Sequence, residues 1–193
     1  MLFSSPVFLF AFLPLVLVLY YCSPLWLKNI TLLLSSLLFY AWGEVFYVAI
    51  MVVSIASNYV FGRLIHITFT PTLKRLWLIA GVMVNVLLLM AFKYANFIAD
   101  NANIVISWLG GEAVLLEPVH LPLGISFFTF QALSYIVDVY RKQVPSQRNI
   151  FNLALYISLF PQLIAGPIVR YHDVSAQIDG RVHSIDKFSS GVR

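Results

Sequence analysis

A chain of 193 residues with 61% hydrophobic and only 10% charged side chains is not an ordinary soluble domain, in which about a quarter of residues are charged. The net charge of +4 indicates loop charge at a membrane face, because no Lys/Arg run with interleaved aromatic residues suggests a nucleic-acid partner. The single cysteine excludes an internal disulfide and a cysteine-rich metal site. The composition therefore predicts an all-α polytopic membrane protein, with the lipid bilayer as its surroundings.

The first half of the chain divides into four predicted membrane spans. Each is an uncharged apolar run, and a span needs roughly 20 such residues. The N-terminal run lacks the basic residues and cleavage site of a signal peptide, so we expect it to remain as a helix, kinked at Pro14. The second and third runs meet at a tight turn around Glu44. The four runs are 2–22, 29–43, 45–62 and 76–92.

Polar residues define the predicted connections between these spans. Residues 95–120 are more polar and predict a loop, with a short interfacial helix around Ile104 to Leu109. A basic loop is predicted after the third span, and it contains Arg63, His66, Lys74 and Arg75.

The fifth predicted span, Leu121 to Arg141, carries its polar side chains on one face. Hydrocarbon offers such side chains no hydrogen-bond partner, so this face must meet other helices or a water-filled path. The polar residues stand at i, i+3, i+4 and i+7 and form what we call the polar stripe: Gln131, Ser134, Tyr135 and Asp138.

Two interpretations of the polar stripe are open. In the first, Asp138 pairs with Arg141 or Lys142 within the helix, and the other stripe residues bond to neighbouring helices. In the second, the polar stripe is one wall of a polar tunnel or substrate groove. Asn58 and Asn85, each in mid-span, are expected only to hydrogen-bond between helices.

A sixth apolar segment, 149–169, is broken at Pro161 and at Gly166-Pro167, and a polar tail follows Arg170. Positive-inside counting places the basic connections, including the 141–148 linker, in the cytoplasm and the N-terminus outside. A full sixth crossing would put Arg170 outside. We favour a re-entrant segment, which keeps Arg170 cytoplasmic, because broken backbone is tolerated where it is buried in protein or lines a cavity.

No pattern of residues in the chain predicts a complete active site. Serine-nucleophile, Walker and dinucleotide-binding motifs are absent from the sequence. The histidines have no Glu or His at metal-ligand spacing, so no metal site is predicted; they are His66, His120, His172 and His183. The residues alone therefore predict a membrane scaffold with a polar seam.

Distinctive blocks run along the whole chain. The longest are LPLGISFFTFQALSYIVDVYR at 121–141 and FPQLIAGPIVRY at 160–171. Shorter blocks are FSS at 3–5, FLF at 8–10, SSLLFYAW at 35–42, NY at 58–59 and FKY at 92–94. Together they resemble the amino-terminal part of the membrane-bound O-acyltransferases, nearest to the bacterial branch that acetylates alginate.

The resemblance implies a multi-pass enzyme of the bacterial inner membrane that moves acetyl groups across the bilayer for an exopolysaccharide, with no cofactor bound. A cytoplasmic donor, acetyl-CoA or a protein-carried acyl group, would feed a tunnel through the membrane. Periplasmic partner proteins would then pass the acetyl group to the polysaccharide acceptor. The candidate residues along this path are Gln131, Ser134, Tyr135, Asp138, Arg141, Pro161, Gly166, Pro167, Arg170 and Tyr171.

The resemblance also implies that the catalytic residues lie elsewhere. The family's catalytic histidine sits in an apolar helix beyond these motifs, and none of the four histidines here matches that setting. Residues 187–193 resemble the opening of the family's next helix. We therefore expect residues 1–193 to be the amino-terminal part of one membrane domain that continues past Arg193, and to be inactive alone.

Two other classes of function stay open. Broken helices and mid-membrane polar residues are also typical of transporters and flippases, although the chain shows no internal repeat. The second is a non-catalytic subunit of a polysaccharide export or modification complex. For an acetyltransferase, alginate is the preferred acceptor, but these motifs do not discriminate it from cellulose, peptidoglycan and other glycans.

Overall fold

The structure is a computed structural model that describes residues 5–108, 110–111, 121–122, 124–164, 169–180, 184 and 189–190. These residues form helices and no β-strand, which confirms the all-α prediction. A π-helical segment (Phe8–Phe12) runs directly into the first of nine described α-helices. These are α1 (Leu13–Cys22), α2 (Lys28–Gly43), α3 (Val45–Ile67), α4 (Pro71–Lys93), α5 (Ala95–Trp108), α6 (Ile125–Tyr140), α7 (Ile150–Ser158), α8 (Phe160–Ile164) and α9 (Tyr171–Asp179).

Among the described helices, α3 and α4 are long and apolar enough to cross a bilayer. Each has 23 residues, which corresponds to about 35 Å of helix against a hydrocarbon core of about 30 Å. α2 and α6 have 16 residues each. α2 agrees with the predicted span 29–43, whereas α6 is shorter than the predicted span 121–141. α6 starts only at Ile125, because Gly124 before it has a left-handed backbone with φ 76°. The tight turn at Glu44 is confirmed.

The predicted kink at Pro14 takes the form of a π-helical turn. Proline has no backbone N–H, so the carbonyl of Phe10 cannot receive its usual i+4 hydrogen bond. The chain widens just before the proline, and the N–H of Leu13 donates to the carbonyl of Phe8, five residues back.

The predicted basic loop between the third and fourth spans is wrong in its extent. Arg63 and His66 lie in the last turns of α3, and Lys74 lies in the first turn of α4, so only residues 68–70 connect the two helices. α4 begins at Pro71 rather than at Leu76, because a proline ring presets the helical φ and its missing N–H is not needed at a first helical position.

The predicted loop at 95–120 contains a longer helix than expected. α5 has 14 residues, whereas the expected helix covered only Ile104 to Leu109; residues 109 and 112–120 lie outside the described residues. No residue of α5 is buried. Its exposed Phe97, Ile104 and Trp108 share one face, as in a helix that lies at a membrane interface.

The core is built around α6, which packs against α3, α4, α7, α8 and α9. Phe128, Tyr135 and Ile136 of α6 are completely buried. A second cluster joins the N-terminal π-helical segment to α2 and α8 through the edge-on and tilted rings of Phe8, Phe39 and Phe160. The segment after the 141–148 linker therefore packs against α6 and also against α2 and the N-terminal π-helical segment.

Asn58 of α3 and Asn85 of α4 form a closed amide pair inside the bundle. Each side-chain NH₂ donates to the other's carbonyl oxygen, at 3.1 and 2.7 Å, and also to a backbone carbonyl four residues back, those of Ser54 and Gly81. The prediction that these two residues hydrogen-bond between helices is confirmed.

The sixth segment breaks two residues before Pro161, between α7 and α8. In a continuous helix the Pro161 ring would clash with the carbonyl of Ile157, so the backbone leaves the helical conformation at Leu159 (ψ 114°). The N–H of Phe160 donates to the hydroxyl of Ser36 in α2 at 3.3 Å, which supplies the partner that a broken helix lacks. The second predicted break, Gly166-Pro167, lies outside the described residues.

After this break the chain returns to the end of α6 from which the segment departed. At the start of α6, Gly124 lies against Leu163 so closely that a Cβ built on the glycine would be 3.0 Å from the Leu163 carbonyl oxygen. By Tyr171, the chain is at the last turns of α6, where its N–H donates to the Ser134 hydroxyl. This geometry supports the re-entrant form of the segment over a full crossing.

One end of the bundle gathers most of the described basic residues, and we call it the basic end. Hydrogen bonds join its parts: the Asn29 amide of α2 donates to the Asn152 side chain of α7 and to the Ile178 carbonyl of α9, at 3.1 and 2.9 Å. The Arg63 guanidinium donates to Ser146 in the linker at 3.2 Å. The basic end contains Lys28, Arg63, Lys74, Arg75, Arg141, Lys142, Arg148 and Arg170.

Candidate functional site

The polar stripe of α6 faces the protein interior. Gln131, Tyr135 and Asp138 are 1%, 0% and 4% exposed, and Ser134 is half-buried. Each of the four side chains has a hydrogen-bond partner outside α6, as expected for polar groups that hydrocarbon cannot solvate. All of these partners belong to the chain that follows α6.

Asp138 receives the start of α9. Its Oδ2 accepts a hydrogen bond from the backbone N–H of His172 at 3.2 Å, and the Ser134 hydroxyl lies 3.5 Å from the same oxygen. The first N–H groups of a helix have no partner within it, and a carboxylate there also interacts favourably with the helix dipole. The predicted pairing of Asp138 with Arg141 or Lys142 is not formed, because the carboxylate is turned towards α9.

Tyr135 is packed so tightly that it depends on a glycine. Its ring lies against Gly62 of α3, where a Cβ would overlap the phenol ring. The Tyr135 hydroxyl accepts the backbone N–H of Gln147 at 3.1 Å. Its ring also meets the Tyr171 ring edge-on, with centroids 5.0 Å apart, and Tyr171 in turn meets Tyr156 at 5.1 Å.

Gln147 ties the linker to both sides of this tyrosine cluster. Its side-chain NH₂ donates to the Tyr171 hydroxyl at 3.1 Å, and its Oε1 accepts the N–H groups of Arg148 and Asn149. The Tyr156 hydroxyl donates to the carbonyl of Val169 at 2.8 Å. The linker, α7 and the start of α9 are therefore held in one hydrogen-bonded unit against α6.

Gln131 lies deeper, beside the break between α7 and α8. Its NH₂ donates to Oε1 of Gln162 in α8 at 3.1 Å. The Gln131 Oε1 is buried and has no hydrogen-bond partner among the described residues, so an acceptor with a free lone pair faces the interior at this level. Such a group can bind a water or a hydroxyl that reaches it.

A cleft of about 200 Å³, lined in part by Gln162, opens between α2, α7, α8 and α9. Its walls are mostly apolar, and its polar groups come from glutamine and tyrosine side chains. A small neutral acyl group is compatible with such walls. The lining residues are Leu32, Leu155, Tyr156, Leu159, Gln162, Val174, Gln177 and Ile178.

Two further clefts flank the linker at the basic end. One of about 380 Å³ lies between residues 144–148 and α9, next to Tyr171. The other, of about 740 Å³, lies between the α3–α4 connection and the end of α6, and it contains Arg141. Arg141 is exposed there, so it is not part of the buried hydrogen-bonded unit around the polar stripe.

The end of α6 has a left-handed cap made by a lysine. The N–H of Gln143 donates to the carbonyl of Asp138, and the N–H of Lys142 donates to that of Val139, which is the Schellman arrangement. Lys142 occupies the left-handed position with φ 60°. Glycine is the usual residue there, and a non-glycine residue costs about 1–2 kcal/mol in this conformation.

The other predicted site residues lie apart from this unit or outside the described residues. Pro161 is exposed in α8, and Arg170 is exposed at the residue before α9. Gly166 and Pro167 lie outside the described residues. The structure thus brings together Gln131, Ser134, Tyr135, Asp138 and Tyr171.

The described histidines lie at the surface. His172 is half exposed and its Nδ1 is 3.3 Å from a carboxylate oxygen of the equally exposed Asp173. His66 is exposed at the end of α3. His120 and His183 lie outside the described residues. No group of three potential metal ligands occurs among the described residues.

Sequence reasoning missed three members of the unit: Gln147, Tyr156 and Gln162. Gln147 stands in the 141–148 linker, where the basic residues indicate a side of the membrane but the uncharged residues follow no helical or strand period. Tyr156 lies in an apolar run that looks like core material. Only Gln162 had a usable signal, because it is the polar residue next to Pro161 in the block 160–171.

The chain matches curated proteins along nearly all of its length. It is 43% identical to the probable alginate O-acetylase AlgI of Pseudomonas syringae pv. tomato over 192 residues, which cover 99% of this chain and 37% of that protein. The probable alginate O-acetylase AlgI of Azotobacter vinelandii is also 43% identical, with 99% and 38% covered. The peptidoglycan O-acetyltransferase of Helicobacter pylori is 38% identical over 208 residues, with 92% and 38% covered.

The chain thus spans a little over a third of the length of these relatives. No protein-family model and no solved structure matches it. The match nonetheless covers 99% of this chain. Over nearly all of its length, this chain is therefore similar to alginate O-acetylases and to a peptidoglycan O-acetyltransferase.

Proposed function

We propose that the protein carrying this chain is an O-acetyltransferase of the bacterial inner membrane that moves acetyl groups across the bilayer to an exopolysaccharide, with alginate as the preferred acceptor. The observation that carries the proposal is 43% identity to alginate O-acetylases along 99% of the chain. The buried polar unit on α6 also supports it, because the polar stripe lies in the block 121–141 and Tyr171 lies in the block 160–171.

The distribution of charge supports one orientation in the membrane. The basic end gathers most of the described lysines and arginines, whereas the opposite end contains Glu44, Lys93 and Asp100. Because Lys and Arg near membrane spans favour the cytoplasm, we place the basic end there. α1 leads to the basic end, where α2 begins at Lys28. The N-terminus, at the other end of α1, would then lie in the periplasm.

The described residues contribute walls and fixed geometry to the transfer. The chain that returns after the break is held against α6 by hydrogen bonds of Asp138, Ser134 and Gln147. The break between α7 and α8 lies in the wall of the 200 Å³ cleft. The acetyl group is neutral and small, so it can pass an apolar wall that a charged donor cannot. The unpartnered oxygen of Gln131 would hold a water or the acceptor's hydroxyl beside this path.

The chemical step needs a general base, and we assign it to a part of the protein that this chain does not span. In acetyl transfer from a thioester, the acceptor hydroxyl loses its proton as its oxygen forms a bond to the acetyl carbon, and the thiolate leaves. His66 and His172 are exposed, and neither lines the 200 Å³ cleft. The donor, acetyl-CoA or a protein-carried acyl group, would approach from the basic end.

The test is to delete the gene in its native host and to restore it on a plasmid. The O-acetyl content of the secreted polysaccharide, measured by proton NMR, should fall to background and recover with the gene. Peptidoglycan O-acetylation, measured in the same strains, separates the two acceptors that the relatives' names include. Unchanged acetylation of both polymers after deletion would overturn the proposal.

A transporter or flippase is the second candidate, because the broken helix and buried polar groups also suit substrate passage. It predicts a different outcome of the same deletion: the amount of polymer outside the cell falls, while the acetyl content of the remaining polymer is unchanged. A non-catalytic subunit of the modification complex predicts lost acetylation that no histidine variant of the restored protein reproduces.

A further inference from the structure

The 740 Å³ cleft at the basic end has a chemistry that the acetyl-transfer path does not use. It lies where the α3–α4 connection meets the last turn of α6. Four residues that carry or can carry positive charge line it: His66, Lys74, Arg141 and Lys142. No carboxylate is among its described lining residues.

These cations are not neutralised within the described part of the chain. Arg141, Lys142 and Lys74 have no ion pair there, and the Lys74 Nζ lies 5.8 Å from the centroid of the Tyr140 ring. Like charges that share one cleft repel each other unless an anion lies between them. The arrangement therefore fits an anionic ligand.

Lys142 gives an independent reason to expect a ligand. It is the one described non-glycine residue with positive φ, and it stands at a helix-cap position that favours glycine. Backbone strain of this kind is retained where the side chain has a use. At this position the side chain adds a charge to the mouth of the cleft.

The position of the cleft identifies the source of the anion. It opens at the first turn of α4, a helix long enough to cross the bilayer and little buried along its apolar length. Phe69, in the connection that forms the rim, is 99% exposed, and Leu76 and Ile79 in the next turns of α4 are about half exposed. If a lipid phosphate bound at this level, the acyl chains of the same lipid could lie along the exposed apolar surface of α4.

We propose that this cleft binds the phosphate headgroup of an anionic glycerophospholipid at the cytoplasmic face of the membrane. Lys74, Arg141 and Lys142 would contact the phosphate oxygens, and Phe69 would insert among the acyl chains. Basic pockets between membrane helices on the cytoplasmic side are suited to anionic headgroups. The bound lipid would connect α4 to the end of α6, next to the linker that positions Tyr171.

The test uses the full-length gene product purified in detergent. Native mass spectrometry counts the molecules of phosphatidylglycerol that stay bound, with phosphatidylcholine as the neutral-headgroup comparison. The wild-type protein should retain phosphatidylglycerol in preference. Lys74→Ala and Lys142→Gly should each weaken its binding about fivefold. Lys142→Gly is the sharper variant, because glycine suits φ 60° and should leave the fold as stable as before or more so.

The matched control is Lys93→Ala, at the other end of α4, where the lysine also lies over a tyrosine ring. This variant should retain phosphatidylglycerol like the wild type. Equal retention of both lipids, or wild-type affinity in Lys142→Gly, would overturn the proposal. Displacement of the lipid by soluble coenzyme A at micromolar concentration would also overturn it, because the cleft would then bind a soluble phosphate ester.

Discussion

The carboxylate of Asp138 accepts a hydrogen bond from the backbone N–H of His172, at 3.2 Å and across 34 residues of sequence. This contact joins the predicted fifth span to the chain that returns after the break. The contact explains how a carboxylate is accommodated at a position only 4% exposed. One carboxylate oxygen accepts a backbone N–H at the start of α9, which has no acceptor within its own helix.

Replacing Asp138 with alanine should therefore loosen the start of α9. The His172 N–H loses its partner, at a cost of about 1–3 kcal/mol. Hydrogen exchange of the backbone amides of residues 171–176 should accelerate roughly tenfold or more, while the amides of α3 change little. Asp173→Asn is the control, since Asp173 is more than half exposed. Equal exchange in Asp138→Ala and wild type would show that the contact does not hold α9.

The fit between Gly62 and Tyr135 predicts a second effect. Gly62→Ala places a methyl group where the Tyr135 ring lies, and overpacking of this kind costs about 1–3 kcal/mol. Thermal unfolding in detergent should show a clearly lower midpoint for this variant. Gly180→Ala is a suitable control, because the nearest atom to its Cβ would be at an ordinary contact distance of 3.8 Å. An unchanged midpoint for Gly62→Ala would contradict the packing described.

The closed amide pair of Asn58 and Asn85 predicts non-additive substitutions. Asn58→Leu alone leaves the Asn85 amide without its cross-helix partner, which should cost about 1–3 kcal/mol. The double variant with Asn85→Leu should cost less than the sum of the two single changes, by up to about 1.7 kcal/mol. Unfolding midpoints of the four proteins test this cycle. Strict additivity would mean that the two amides do not interact.

The re-entrant segment predicts which residues face the same side of the membrane. In a background with Cys22→Ser, cysteines at Arg148 and Arg170 should both react with an impermeant maleimide applied to inverted membrane vesicles, and neither should react in intact spheroplasts. A cysteine at Glu44 should show the reverse pattern. Labelling of the Arg170 position from the outside would indicate a full sixth crossing.

The helical fold could be predicted from the sequence because hydrocarbon imposes simple rules on a chain. Uncharged runs, the stop at Glu44 and the inward-facing stripe all follow from the absence of hydrogen-bond partners in lipid. Helix ends were less predictable. Charge alone placed Arg63 and Lys74 in a loop, whereas both lie in helices, since long basic side chains can extend from a helix end towards water.

The partners of the polar stripe could not be predicted, because no local pattern encodes them. In one of the two interpretations Asp138 pairs with Arg141 or Lys142, yet its partner is a backbone N–H of α9. Similarly, Gln147 carries no periodic signal, and it bonds to Tyr171 only because the chain returns. Contacts of this kind follow from the tertiary path of the chain rather than from spacing along one helix.

The acetyl content of the secreted polysaccharide in a strain whose only copy of the gene carries Asp138→Ala is the most direct test of the role assigned to the polar stripe. Membrane levels of the variant are matched to wild type by immunoblot, and Asp173→Asn is measured beside it. We expect acetylation to fall severalfold with Asp138→Ala and to stay at the wild-type level with Asp173→Asn. Wild-type acetylation with Asp138→Ala at equal protein level would contradict the proposed role of this contact in acetyl transfer.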